Sequence, residues 1–285
     1  MKGRATVTDE DDRCPATPGA DMPAIGPRAA DALHTDTQDP ATPAANNRVA
    51  LVTGASGALG AAVAHVLDRR GYRLALHYAT GADRARKLAA ELSGPSMVVQ
   101  ADVADWAATH YLVAQVRSEL GGISVLVNAG AIRRDGLMAT QPVADWTQTI
   151  AVNLLGTFHT CRAALPDMMR TRWGRIINIV SPAALIGSRG QTAYSAAKAG
   201  VVGMTRSLAL ECGRFNVTVN ALSPGLMDTA LTETISAQAR AALLARTAFD
   251  RVGTPEEVAS GIELLLDADY MTGQVVSIDG GMSIS

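Results

Sequence analysis

Aromatic side chains are scarce, making up 4% of this 285-residue chain, and there are only three cysteines. Cys14, Cys161 and Cys212 are odd in number and widely spaced, which argues against a disulfide framework or a metal site and fits a reducing compartment. An excess of charge of one sign is missing too. A formal net charge of −2 leaves no electrostatic footprint for nucleic acid. No apolar run is long enough to span a bilayer, so no membrane association is expected. What is present, 48% hydrophobic residues beside 18% charged ones, can build one large core in a soluble domain, expected to be cytoplasmic.

Residues 1–47 stand apart, being rich in Ala, Pro, Asp and Thr with neither strand nor helix periodicity. Such a segment cannot bury enough apolar surface to offset the entropy of ordering it. Asp11, Asp12, Arg13 and Asp21 break up any signal-peptide core. The segment reads as a disordered or irregular arm, with a partner-binding arm or a start codon placed too far upstream as alternatives. Residues 48–285 read as a single domain.

From Arg48 onward, short apolar runs alternate with helical stretches. Strands are expected at Arg48–Gly54, Arg73–His77, Ser96–Gln100, Ser124–Asn128, Arg175–Ser181 and Asn216–Leu222, with another in the closing Thr272–Met282 segment. That alternation predicts an α/β fold: a single Rossmann-type, doubly wound parallel sheet of about seven strands with helices on both faces.

The first strand runs into Gly54-Ala-Ser-Gly57-Ala-Leu-Gly60, and a helical stretch follows. In that order, backbone N–H groups and a helix N-terminus face a pyrophosphate. The second strand is followed by Tyr78, where NAD-selective folds carry an acid for the ribose hydroxyls. Without that carboxylate a 2′-phosphate meets no like charge, and His77, Thr80 or Arg84 stand ready to contact it. NADPH is therefore expected as cofactor in preference to NADH.

Tyr194 and Lys198 lie four residues apart in an Ala-rich run, which sets them on one helix face. A phenol of ordinary pKa, about 10, becomes useful in acid–base chemistry when a cation favours its ionised form. Ser181 ends an apolar strand, so its hydroxyl emerges at the carboxyl edge, where open α/β sheets bind ligands. Pro182 keeps that serine extended. A Tyr and a Lys at this spacing occur often by chance. The serine and the upstream glycine loop make the pair a candidate site.

Together with Asn128-Ala129-Gly130, Ser223-Pro224-Gly225 and the closing Asp279-Gly-Gly, these residues resemble the short-chain dehydrogenase/reductase family over about 48–285. The closest branch is that of the 3-oxoacyl-[acyl-carrier-protein] reductases. The resemblance implies that Gly54, Ser56, Gly57, Leu59 and Gly60 cradle the dinucleotide, that Tyr78 stands by the adenosine ribose, and that Asp102 and Val103 contact the adenine. It places Asn128, Ala129 and Gly130 beneath the cofactor, with Pro224, Gly225 and Thr229 on its carboxamide. It further implies that Ser181 holds the substrate carbonyl and Tyr194 delivers the proton. Lys198 binds the nicotinamide ribose and depresses the pKa of Tyr194, and Asn153 completes a proton relay to water. On its own, Asn153 inside a helix expected over Asp145–Arg170 would point to solvent. One position departs from the family: its middle loop glycine is Ala58 here, whose methyl is expected to weaken dinucleotide binding without abolishing it.

The implied reaction is NADPH-dependent reduction of a 3-oxoacyl thioester, a fatty acyl group on acyl carrier protein or a polyketide intermediate, to the 3-hydroxy form. The alternatives are a dehydrogenase of another secondary alcohol (sugar alcohol, steroid or hydroxyacyl-CoA) and a dinucleotide-binding sensor without turnover. Ala230–Phe249 reads as a helical, apolar substrate lid. Arg170, Arg172, Arg175 and Arg214 are candidate cations for docking an acidic carrier on the entrance side, Arg172 by its match to a docking arginine of that branch. The resemblance also implies a homotetramer built through the long helices and the final strand.

Overall fold

Strand β1 (Val49–Thr53) reads Val-Ala-Leu-Val-Thr and is buried along its whole length, as expected for a strand covered on both faces. The computed structural model describes residues 48–229 and 237–284, all within the compact unit 39–285, and the arm expected over 1–47 lies outside the described residues. Six further strands join β1: β2 (Arg73–Tyr78), β3 (Ser96–Gln100), β4 (Ile123–Asn128), β5 (Gly174–Ile179), β6 (Val217–Pro224) and β7 (Val275–Ile278). They form one parallel sheet in the order β3-β2-β1-β4-β5-β6-β7, as expected for the doubly wound class. Strand order reverses between β1 and β4, which opens a crevice at their carboxyl ends.

Alternate side chains of β1 feed two separate apolar layers, because successive residues of a strand point to opposite faces. Ala50 and Val52 pack with Val63, Val66 and Leu67 of α1 (Ala58–Arg69) and with Ile262 and Leu265 of α9 (Pro255–Asp267). Val49 and Leu51 pack with Leu112 and Val116 of α3 (Trp106–Glu119), Ala164 and Met168 of α5 (Gly156–Thr171), and Ala209 of α7 (Thr192–Cys212). Leu51, Leu67 and Leu112 are fully buried, and each contributes about 2 kcal/mol of hydrophobic stabilisation. The start of α9 is fixed by a reciprocal cap: the Thr254 hydroxyl accepts from the Glu257 N–H, and the Glu257 carboxylate accepts from the Thr254 N–H.

The shorter helices are α2 (Ala82–Glu91), α4 (Val143–Ile150), α6 (Ala183–Ile186) and α8 (Ala237–Leu244). The single helix expected over Asp145–Arg170 is broken up: α4 passes into a π-helical turn, Ala151–Leu155, before α5 begins. Of the expected lid, 230–236 lie outside the described residues, and the described remainder is α8 followed by turns to Asp250. No helix among the described residues is long and apolar enough to cross a membrane.

Candidate active site

The glycine loop is built by backbone contacts too close for side chains. Gly54 has φ +68, and a Cβ there would meet the Gly130 Cα at 2.6 Å. At Gly60 a Cβ would lie 2.3 Å from the Gly54 carbonyl oxygen. Helix α1 therefore starts directly against the end of β1. Its N-cap, Gly57, offers no side-chain cap, and its first turn holds no acid, so its N–H groups and positive dipole end remain for an anion. Ala58 is the first residue of α1, and Arg172 and Asn216 are the only non-glycine residues with positive φ among those described. The methyl of Ala58 thus carries no backbone strain.

The loop opens onto a cavity of about 1320 Å³ that spans the carboxyl ends of β1, β4, β5 and β6. Of the residues expected to bind the cofactor, Gly54, Ser56, Gly57, Leu59, Gly60, Val103, Ala129 and Gly130 line it. So do Pro224, Gly225 and Thr229, together with Ser181, Tyr194 and Lys198. A dinucleotide fits what these residues present: an anion-ready helix end, a backbone floor without Cβ atoms, and hydroxyl and ammonium groups at the far end.

Three expected cofactor contacts, and the expected relay residue Asn153, are not on the cavity wall. Tyr78 is 8% exposed and turned away, because strand alternation gives the cavity to its neighbour His77. Asp102 accepts from the Ala104 N–H in a local turn, and the cap of α3 is Asp105. Asn128 is buried between strands, where its amide donates to Asn178 and its oxygen accepts from Thr160. Asn153 is fully buried instead of facing solvent, for the π-turn rotates it inward. Its oxygen accepts from the Ile132 N–H at 2.9 Å and its amide donates to the Ile132 carbonyl at 2.8 Å. Asn128 and Asn153 brace the site from behind its wall.

His77 has a task other than meeting a 2′-phosphate. Its Nδ1 accepts from the Gly54 N–H at 3.3 Å, so Nε2 carries the proton and donates to the Ala101 carbonyl at 3.1 Å. Burial lowers its pKa, with Asp102 opposing in part. At the cavity rim Arg84 donates to the Ser56 carbonyl at 3.0 Å, and the Ser56 hydroxyl donates to the Thr80 carbonyl at 2.9 Å. Arg84, Ser56 and Thr80 therefore form one polar corner on the wall by the end of β2.

At the other end, Tyr194 and Ser181 line the same stretch of cavity wall, and the Ser181 Oγ accepts from the Ala183 N–H at 3.2 Å. Part of the tyrosine ring opens onto the cavity, yet enough protein surrounds the phenol to push its pKa up to about 12. The expected depression by Lys198 is absent. The ammonium lies 5.8 Å from the ring centroid and donates to the Ile179 carbonyl at 2.7 Å. The cation that does oppose the rise is Arg133, followed by the neighbouring Ser181 hydroxyl. Lys198 is itself driven down to about 8 by burial. Arg133 sits in a loop without periodicity, and no sequence pattern marks it.

The candidate docking arginines also lie elsewhere than expected. Arg172 precedes β5 and Arg214 precedes β6, so within one chain both stand at the amino edge of the sheet, opposite the cavity. There Arg172 donates to the Arg214 carbonyl, and Arg175 is buried and paired with Asp269.

Comparison with known proteins agrees with this geometry. A family model described as "Enoyl-(Acyl carrier protein) reductase" matches residues 54–283. The chain is 40% identical to a 3-oxoacyl-[acyl-carrier-protein] reductase of Synechocystis sp., over 82% of this chain and 96% of that protein. It is 38% identical to Nodulation protein G of Rhizobium sp. (strain N33), over 83% of this chain and 97% of that protein. A 3-oxoacyl-[acyl-carrier-protein] reductase of Staphylococcus aureus is 36% identical, over 82% of this chain and 97% of its own length.

Proposed function

Because the chain belongs to the short-chain dehydrogenase/reductase family and is an oxidoreductase of it, we propose that it reduces a 3-oxoacyl thioester to the 3-hydroxyacyl form with NADPH, Tyr194 giving the proton. The observation that carries this reading is the Tyr194–Ser181 hydroxyl pair, placed in the same cavity as the glycine loop and beside Lys198. A nicotinamide dinucleotide bound along that cavity would supply the hydride.

The chain's own residues do the rest. Ser181 and Tyr194 hydrogen-bond the carbonyl oxygen of the substrate, polarising it, and Tyr194 protonates that oxygen as negative charge develops. Reduction needs the phenol protonated beforehand, as a tyrosine is at neutral pH. Lys198 and the polar corner at Arg84 are the residues to hold the two ends of the cofactor, Lys198 on the ribose near Tyr194 and Arg84 on a 2′-phosphate. Asn153 contributes by fixing the loop at Ile132.

The substrate class rests on the relatives' names and on the apolar residues Ala242 and Leu243 of α8 that face the cavity. A thioester, free or on a carrier, would enter from that side. The test is turnover of acetoacetyl thioester with NADPH, followed by loss of reduced nicotinamide. Tyr194→Phe should retain cofactor binding and lose about 10²–10⁴-fold in kcat. Arg84→Ser should raise KM for NADPH and leave KM for NADH unchanged. A wild-type enzyme idle on the thioester but active on other ketones would reassign the substrate, and full activity in Tyr194→Phe would refute the mechanism.

A further inference from the structure

Arg133 is the cation nearest in effect to the reacting phenol, and nothing in the proposed chemistry uses it. Its place is set by Asn153, which grips both backbone groups of the preceding residue, Ile132. The Arg133 side chain is only 12% exposed and lines the cavity with Ser181 and Tyr194. Its Nε lies 3.2 Å from Asp135. The Asp135 carboxylate accepts two further contacts from the Gln191 amide, at 3.1 and 3.3 Å. The Gly136 N–H donates to the Gly190 carbonyl at 2.8 Å, so the Arg133 loop is tied to the segment that leads into Tyr194. The pair thus fixes one side of the guanidinium. Its terminal nitrogens have no hydrogen-bond acceptor among the described residues and are the donors left for a ligand.

A guanidinium carries donors in a rigid fork suited to planar oxygen acceptors. The thioester substrate of the proposed reaction has one more such oxygen than a plain ketone: its thioester carbonyl, two carbons from the reacting one. We propose that Arg133 is the specificity-determining residue of this site, hydrogen-bonding the thioester oxygen while Ser181 and Tyr194 hold the ketone. The enzyme would thereby favour 1,3-dicarbonyl substrates over isolated ketones. This rests on the reading of the substrate as a 3-oxoacyl thioester. Sites built to hydrogen-bond a substrate group discriminate strongly against analogues that lack it.

The experiment compares wild type with Arg133→Gln, as full-length NADPH-saturated enzyme, on acetoacetyl-N-acetylcysteamine and on a cyclic monoketone. The expected result is at least a tenfold loss of kcat/KM on the thioester, carried mainly in KM, with the monoketone within about twofold of wild type. Should the glutamine variant fail to fold, Arg133→Lys is measured instead, and a smaller loss confined to the thioester is expected because charge is kept and the fork is lost. Equal losses on both substrates would mean that Arg133 acts through Tyr194 and would overturn the proposal. An unchanged preference would overturn it as well. Wild type unable to reduce the thioester at all would instead sink the reading of the substrate on which this proposal rests.

Discussion

The Lys198 ammonium donates to the Ile179 carbonyl at 2.7 Å, and among the described residues it is paired with no carboxylate. A buried cation without a counter-charge is costly to the fold. A pKa lowered from 10.5 to about 8 corresponds to roughly 3 kcal/mol. Because the folded value is depressed, the cost is absent above the unfolded pKa and complete below about pH 8. Lys198→Met is therefore expected to raise Tm at neutral pH while lowering kcat/KM by about 10²-fold or more. Calorimetry and steady-state assays check the two halves. A lower Tm would show that the amine stabilises the fold.

The same residue should set the alkaline limb of the rate profile. Lys198 loses its proton near pH 8 in the free enzyme, whereas Tyr194 keeps its own until about 12. The value of kcat/KM for reduction is expected to fall above about pH 8, and Lys198→Arg, always charged, should remove that limb from whatever activity it retains. Persistence of the limb in Lys198→Arg would assign it to another group.

Acid should loosen the glycine loop through His77. Its neutral ring accepts from Gly54 and donates to Ala101, and protonation would set an N–H against the Gly54 N–H. The folded pKa is depressed below the ordinary 6.5, so the unfolded chain binds the proton first as pH falls. Stability should therefore be complete above about pH 6.5 and decline below it. His77→Asn is expected to have a lower Tm at pH 7 and a flatter Tm slope between about pH 7 and 5. A parallel slope in both proteins would acquit the histidine.

Two substitutions in the glycine loop should behave oppositely. Gly60→Ala places a methyl 2.3 Å from the Gly54 oxygen and is expected to abolish NADPH binding. Ala58→Gly restores the family's glycine at a position that needs no positive φ, so Kd should change less than about threefold while helix stability falls by up to about 1 kcal/mol. Fluorescence titration of NADPH measures both. A large gain in affinity in Ala58→Gly would mean that the methyl does obstruct the ligand.

These residues also show where the sequence was readable. Gly54, Gly60, Ser181, Tyr194 and Lys198 could be placed because each depends on local order: strand, turn, helix, or a spacing of four on one helix face. Strand ends came within a few residues for the same reason. Asn153 could not be oriented, since a π-turn inserts a residue into a helix without any compositional mark, and its partner Ile132 is 21 residues away. Tyr78 was misplaced by a shift of one residue, which in a strand exchanges the faces. Arg133 depends on both: a loop with no period, held by that same distant asparagine. The docking arginines illustrate a different limit, for basic composition says nothing about which edge of the sheet a residue occupies.

Gly225 stands so close to Asp279 that a Cβ on it would lie 2.6 Å from the Asp279 Cα, and Met282 just beyond reaches the cavity wall. The chamber is thus closed by a segment made after every residue of the Ser181–Lys198 machinery. A nascent chain could display its serine, tyrosine and lysine in order and still have nowhere to seat a nicotinamide until β7 docks on β6. In order of synthesis, the cofactor seat cannot be complete before that last segment is made.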